Sequence, residues 1–184
     1  MFDLQDFIAS CRGLVGAPDG ARRVLDLMRS CLGDAEGIKQ VVVPSESGRA
    51  ILDAPLYRSA ELTILNVTLY PHFASPPHDH RMWAVVGIYA GQENNTFYRR
   101  SGQSLDEVNR REIRAGDAVL LGPDVIHAIE NPLDSGTLGL HVYGGDLLAA
   151  RRSMWKPRSH EELSYDTTQF FKWCAELAES RSAV

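Results

Sequence analysis

Residues 76–91 read Pro76-Pro77-His78-Asp79-His80-Arg81-Met82-Trp83-Ala84-Val85-Val86-Gly87-Ile88-Tyr89-Ala90-Gly91. They are rich in β-branched and aromatic residues and bounded by proline and glycine, the composition of strands. Alternate side chains of a strand share a face, so His78 and His80 point the same way. Two imidazoles on one face begin a metal site. About fifty residues on, the segment 116–131 supplies a third: Gly116-Asp117 feeds a short apolar run, Gly122-Pro123 turns the chain, and His127 follows before Asn131. Neutral imidazoles bind Fe, Zn, Cu, Co and Ni, and three of them leave coordination positions open.

The chain around this pair alternates between short strand-like runs and turns. Runs occur at Val41–Val43, Ile51–Leu52, Leu56–Tyr57, Leu62–Tyr70 and Asn95–Arg99, and continue at Val108–Ile113, Ala118–Leu121, Ala128–Glu130 and Leu138–Tyr143 with Gly, Pro, Asn or Asp between them. No helical crossover interrupts them, which excludes a doubly wound parallel fold. The pattern fits an antiparallel jelly-roll-like barrel with a small-molecule site in its mouth or interior.

Helical patterns flank the strands. Leu4, Phe7, Ile8, Cys11 and Leu14 recur at three- and four-residue steps until Gly16–Gly20. Ala21–Leu32 forms a second amphipathic segment ending at Gly33, and Ala35–Gln40 adds a short turn. At the far end the chain leaves the barrel through Leu147–Arg152 and a polar segment with Lys156-Pro157-Arg158. A final helix opens at a cap on Asp166 and carries Phe170, Phe171, Trp173, Cys174, Leu177 and Ala178 on one face. That face packs either on its own barrel or on a second copy in a homodimer. The whole chain, 1–184, is expected to be one domain: a helical region 1–47, a barrel 48–148 and a C-terminal extension 149–184.

Composition narrows the function classes. With 184 residues, 44% apolar and 23% charged, the sequence suits a soluble domain with a sizeable core. A formal charge of −5 gives no basic footprint for nucleic acid, and no apolar run is long enough to cross a bilayer. The start, Met1-Phe2-Asp3-Leu4-Gln5-Asp6, does not read as a signal peptide, so a cytoplasmic location is expected. Cys11, Cys31 and Cys174 are odd in number and widely spaced, which argues for reduced thiols rather than a disulfide framework or a thiolate zinc site.

At these residues the chain resembles a known superfamily. His78-x-His80 followed at a distance by Gly91 looks like the first cupin motif, and Gly116-x5-Gly122-Pro123-x3-His127-x3-Asn131 looks like the second. The resemblance covers roughly residues 58–148 and implies a cupin double-stranded β-helix barrel. The motif's usual metal-binding Glu is replaced by Ala84, leaving three histidines. Three-histidine cupins include the cysteine dioxygenase and 3-mercaptopropionate dioxygenase family, whose Ser-x-His-x-Tyr triad is matched at His141 and Tyr143 but not at Gly139. The resemblance implies Fe(II) on His78, His80 and His127, with Zn or Ni as substitutes in a purified sample. It also implies His141 and Tyr143 beside the metal, Arg58 on a substrate carboxylate, and an uncrosslinked Tyr143. Trp83 and Met82 are expected to wall the pocket. Glu93 would reach a metal only if its strand folded back, and is not taken as a ligand.

The expected reaction is oxidation of a small thiol by O2 to a sulfinate. One alternative is a three-histidine dioxygenase that cleaves carbon–carbon bonds in a diketone-like substrate. The other is a non-catalytic metal-binding cupin that senses a ligand.

Overall fold

Alternation along the strands decides which face each residue serves. In the computed structural model, which describes residues 1–42 and 55–182, β4 (Ala84–Ala90) turns Ala84, Val86 and Ile88 into one apolar cluster and Val85 and Tyr89 into another. On β9 (Thr137–Tyr143), Leu140 and Val142 join the second cluster, while His141 and Tyr143 face the first. On β2 (Thr63–Leu69) the first cluster takes Leu65, Val67 and Leu69. One cluster fills the space between two sheets; the other lies between a sheet and the N-terminal helices.

The sheets are antiparallel. The first has the order β1-β2-β9-β4-β7, with β1 at Tyr57–Arg58 and β7 at Ala118–Leu121. The second has the order β11-β10-β3-β8-β5-β6: β3 is His78–Asp79, β5 Gln92–Ser101, β6 Ser104–Arg114, β8 Ile126–Glu130, β10 Ser153–Trp155 and β11 Glu162–Ser164. From β2 to β9 the chain crosses between sheets so that first and last strands pair, which is jelly-roll connectivity, a double-stranded β-helix. Asn131 closes the end of β8 by donating from Nδ2 to the carbonyls of Leu69, Tyr70 and Ser135.

Three helices cover the first sheet. Helix α1 (Leu4–Leu14) is capped by Asp3, whose carboxylate accepts from Asp6 N–H at 2.9 Å. Helix α2 (Gly20–Cys31) lies on β4 and β7, and Gly87 makes this approach close: a Cβ there would stand 2.6 Å from Met28. After a single 3₁₀ turn, α3 (Ala35–Val41) starts on an Asp34 cap. Val41 thus ends a helix instead of opening a strand, while Val43 and the run at 51–52 lie outside the described residues.

The C-terminal segment departs from expectation. It returns to the barrel as β10 and β11, extending the second sheet beyond β3, and then forms α4 (Thr167–Ser182). The Asp166 carboxylate accepts from Gln169 N–H at 2.7 Å, the expected cap. Phe170, Trp173 and Cys174 bury themselves in the inter-sheet cluster, so the helix packs on its own barrel. No described helix is long and apolar enough to cross a membrane. All three cysteines are free, and burial pushes the Cys11 thiol up to about 12.

Candidate metal centre

His78 and His127 face each other in register across β3 and β8, and His80 follows two residues after His78 on the same side. The ligating atoms of His78, His80 and His127 all lie within 4.8 Å of one another. Two of them, Nε2 of His80 and of His127, are 3.4 Å apart. Nitrogens bound to one ion at about 2.1 Å sit about 3.0–3.5 Å from each other, so a small contraction seats a cation.

Other hydrogen bonds fix the rings. His78 Nδ1–H donates to the Pro76 carbonyl at 3.1 Å, and His127 Nδ1–H donates to Asn95 Oδ1 at 2.7 Å, which leaves each Nε2 lone pair for a metal. All three side chains are buried. Burial, reinforced by repulsion from neighbouring cationic groups, holds His78 and His80 well below the ordinary histidine range, and burial alone takes His127 down to about 4. Near neutral pH the imidazoles are uncharged, the form that binds a metal. Three neutral nitrogens on one side of an otherwise enclosed space suit a divalent transition metal.

The turn after His80 is held from outside. Arg81, with φ of 59°, pairs with Asp79 at 2.7 Å and reaches Glu162 on β11, which also binds Arg100. Asp79 in turn accepts from the Ser153 N–H of β10 at 2.7 Å. The strands missed in the sequence therefore clamp the His78–His80 segment.

The histidines open on a cavity of about 40 Å³. Tyr143 and His141 line it from β9, and Leu147, Arg152, Tyr165 and Phe170 close it from the C-terminal side. The Phe170 ring stands edge-on to His78 at 5.1 Å and Tyr143 edge-on to His80 at 5.1 Å. Burial pushes the Tyr143 phenol up, so it keeps its proton, and its oxygen lies 3.1 Å from His141 Nδ1.

Three expected pocket residues, Arg58, Trp83 and Met82, do not line the cavity; Met82 packs against the inter-sheet cluster. The Arg58 guanidinium grips Asp146 with two bonds of 2.9 and 3.0 Å, partly exposed at the rim, and does not line the cavity. A carboxylate already matches its fork, so its part as substrate anchor is corrected. Trp83 belongs to the alternation that faces the helices. It packs with the helix-side cluster and against Gly144, where a Cβ would come within 2.1 Å of the indole.

The sequence reading overlooked Arg152, the one cation lining the cavity among the described residues. Its guanidinium sits over the Tyr165 ring, 3.3 Å from the centroid, and it pairs with no carboxylate among the described residues. Nothing in the local pattern separates Arg152 from Arg151; only the return of the chain through β10 aims it inward. Glu93 does not join the three histidines. It is fully buried and Asn95 Nδ2 donates to its Oε1 at 2.8 Å.

No protein-family model matches the chain. Among solved structures it is similar to an RmlC-like cupin family protein with a double-stranded β-helix fold from Methanocaldococcus jannaschii, at 13% identity and a TM-score of 0.46, over 57% of this chain and 88% of that one. A conserved protein with a double-stranded β-helix domain from Klebsiella pneumoniae gives 15% identity and a TM-score of 0.47, over 64% of this chain and 87% of that one. A DMSP lyase from Ruegeria pomeroyi gives 22% identity and a TM-score of 0.43, over 54% of this chain and 46% of that one.

Proposed function

We propose that this chain is a non-haem iron-dependent dioxygenase that converts a small, carboxylate-bearing thiol to its sulfinate. The observation that supports this best is the joint presence, in one small cavity, of three metal-ready imidazoles, an ion-pair-free guanidinium and a protonated phenol. The choice of iron and of sulfur chemistry rests on the motif resemblance. The overall reaction is R–SH + O2 → R–SO2H: the O–O bond breaks, two S–O bonds form, and the thiol proton ends on the sulfinate.

His78, His80 and His127 would hold the iron, which when bound supplies open positions for thiolate and O2 and the redox chemistry between them. The chain's own residues do the rest. Arg152 is pre-organised by its stacking on Tyr165 and offers a planar fork to a carboxylate. Tyr143 stands at the cavity wall with its hydroxyl held by His141, and presents the phenol oxygen to whatever binds there. Phe170 and Leu147 exclude water from the reacting centre.

The carbon–carbon-cleaving alternative draws on Gly139, where the thiol dioxygenase triad has Ser, and on the want of a cation for a substrate carboxylate; Arg152 removes the second of these.

The test is oxygen uptake by Fe(II)-loaded protein with a three-carbon mercapto acid, a thiol of equal length without the carboxylate, and a diketone. Uptake is expected with the mercapto acid, and Arg152→Ala is expected to raise its KM about 10–100-fold, the loss of a charged hydrogen bond of about 1.5–3 kcal/mol. The carboxylate-free thiol should respond far less to the variant. Uptake with the diketone alone, or with no compound, contradicts the proposal.

A further inference from the structure

Two buried polar atoms beside this site, Glu93 Oε2 and His141 Nε2, have no hydrogen-bonding partner among the described residues, and they lie 3.9 Å apart. Both side chains are almost wholly buried. A buried donor or acceptor left unpaired is costly, so two such atoms 3.9 Å apart mark a pair that a small approach would satisfy together. Position 139 leaves room for it: a Cβ there would stand 3.2 Å from the same His141 nitrogen, and Gly139 supplies none.

The carboxylate's other oxygen is already engaged. Asn95 donates to Oε1, and with its amide so oriented, Asn95 Oδ1 accepts from His127 Nδ1–H. On the opposite side, His141 Nδ1 lies 3.1 Å from the Tyr143 hydroxyl. A chain of side chains therefore runs from His127 through Asn95 and Glu93 on one sheet, across a 3.9 Å gap, to His141 and Tyr143 on the other.

We propose that Glu93 is a positioning residue that sets both ends of this chain. Its Oε2 accepts from His141 Nε2–H, which leaves His141 Nδ1 as an acceptor and turns the Tyr143 O–H toward it. Its Oε1 holds the Asn95 amide so that its carbonyl, not its NH2, meets His127. Glu93 touches neither metal nor substrate. It fixes the ring of one metal ligand and the hydroxyl direction of the cavity phenol at once, in place of a side chain at position 139. Burial raises its carboxyl to about 7, as expected for an acid without a cation in contact.

The proposal is tested on metal-free protein by ¹⁵N NMR of the His141 ring, whatever the substrate is. Wild type is expected to show the Nε2–H tautomer. Glu93→Gln keeps the shape and an oxygen for Asn95 but presents an NH2 to His141, so the ring is expected to switch to Nδ1–H, with Co(II) affinity within about threefold of wild type. Glu93→Ala releases Asn95 as well and is expected to weaken Co(II) binding about 10–100-fold. A wild-type Nδ1–H tautomer, or an unchanged tautomer in Glu93→Gln, overturns the proposal. The wild-type reading decides it if both variants fail to fold.

Discussion

Asn95 shows how much of a metal site lies behind its ligands. Its amide accepts from His127 Nδ1–H at 2.7 Å and so directs Nε2 into the cavity. Asn95→Ala is expected to weaken Zn(II) or Co(II) binding by about 10–100-fold while the other two ligands remain, measured by competition with a chromophoric chelator. Unchanged affinity would show that strand geometry alone orients His127. At this scale the sequence was partly legible. The triad followed from His78 and His80 at i, i+2 and from a turn before His127, all local signals. Arg152 and Glu93 gave no such signal. Arg152 looked like an ordinary charged residue and Glu93 like a ligand only if its strand folded back, because the inward direction of each comes from long-range pairing and not from neighbours in the chain.

Among the elements, α4 is both lid and core. Phe170 sits against His78 and belongs to the inter-sheet cluster. Phe170→Ala is expected to cost about 3–5 kcal/mol of stability by leaving a cavity, read as a lower denaturation midpoint in urea. The same change opens the metal centre to solvent, so uncoupled oxygen consumption should rise relative to product formed. A stable variant with tight coupling would mean that the helix closes nothing. The helix and its cap could be read from Asp166 and the spaced aromatics. The strands β10 and β11 could not. Each is three residues long, and β11 is wholly exposed, so no alternation announces them. Yet they clamp the turn at Arg81.

For the molecule as a whole, the burial of four imidazoles ties stability to pH. In the metal-free protein the folded-state values of His78 and His80 lie well below the ordinary 6.5, with His127 at about 4 and His141 at about 3. An unfolded chain takes up protons on these rings near pH 6.5 and the folded one does not, so stability falls as pH drops from 6.5 toward 4. Glu93 acts oppositely: its folded value of about 7 exceeds the ordinary 4.5, so its protonated form favours folding across that interval. Four rings outweigh one carboxyl. The thermal midpoint of metal-free protein is expected to drop steadily on acidification from pH 7 to 4.5, and a flat profile would contradict this reading of the site. Jelly-roll architecture was legible because alternation and turn spacing are written along the strands. The cavity's small size was not, since it depends on how the C-terminal segment folds back.

The most direct measurement is product analysis after turnover of a three-carbon mercapto acid by Fe(II)-loaded protein under ¹⁸O2. The expected product is the sulfinate carrying two ¹⁸O atoms, formed with one O2 consumed per thiol and absent with His127→Ala. Protein that binds iron at full occupancy yet returns the thiol unchanged, or yields only disulfide without label, would contradict the dioxygenase assignment.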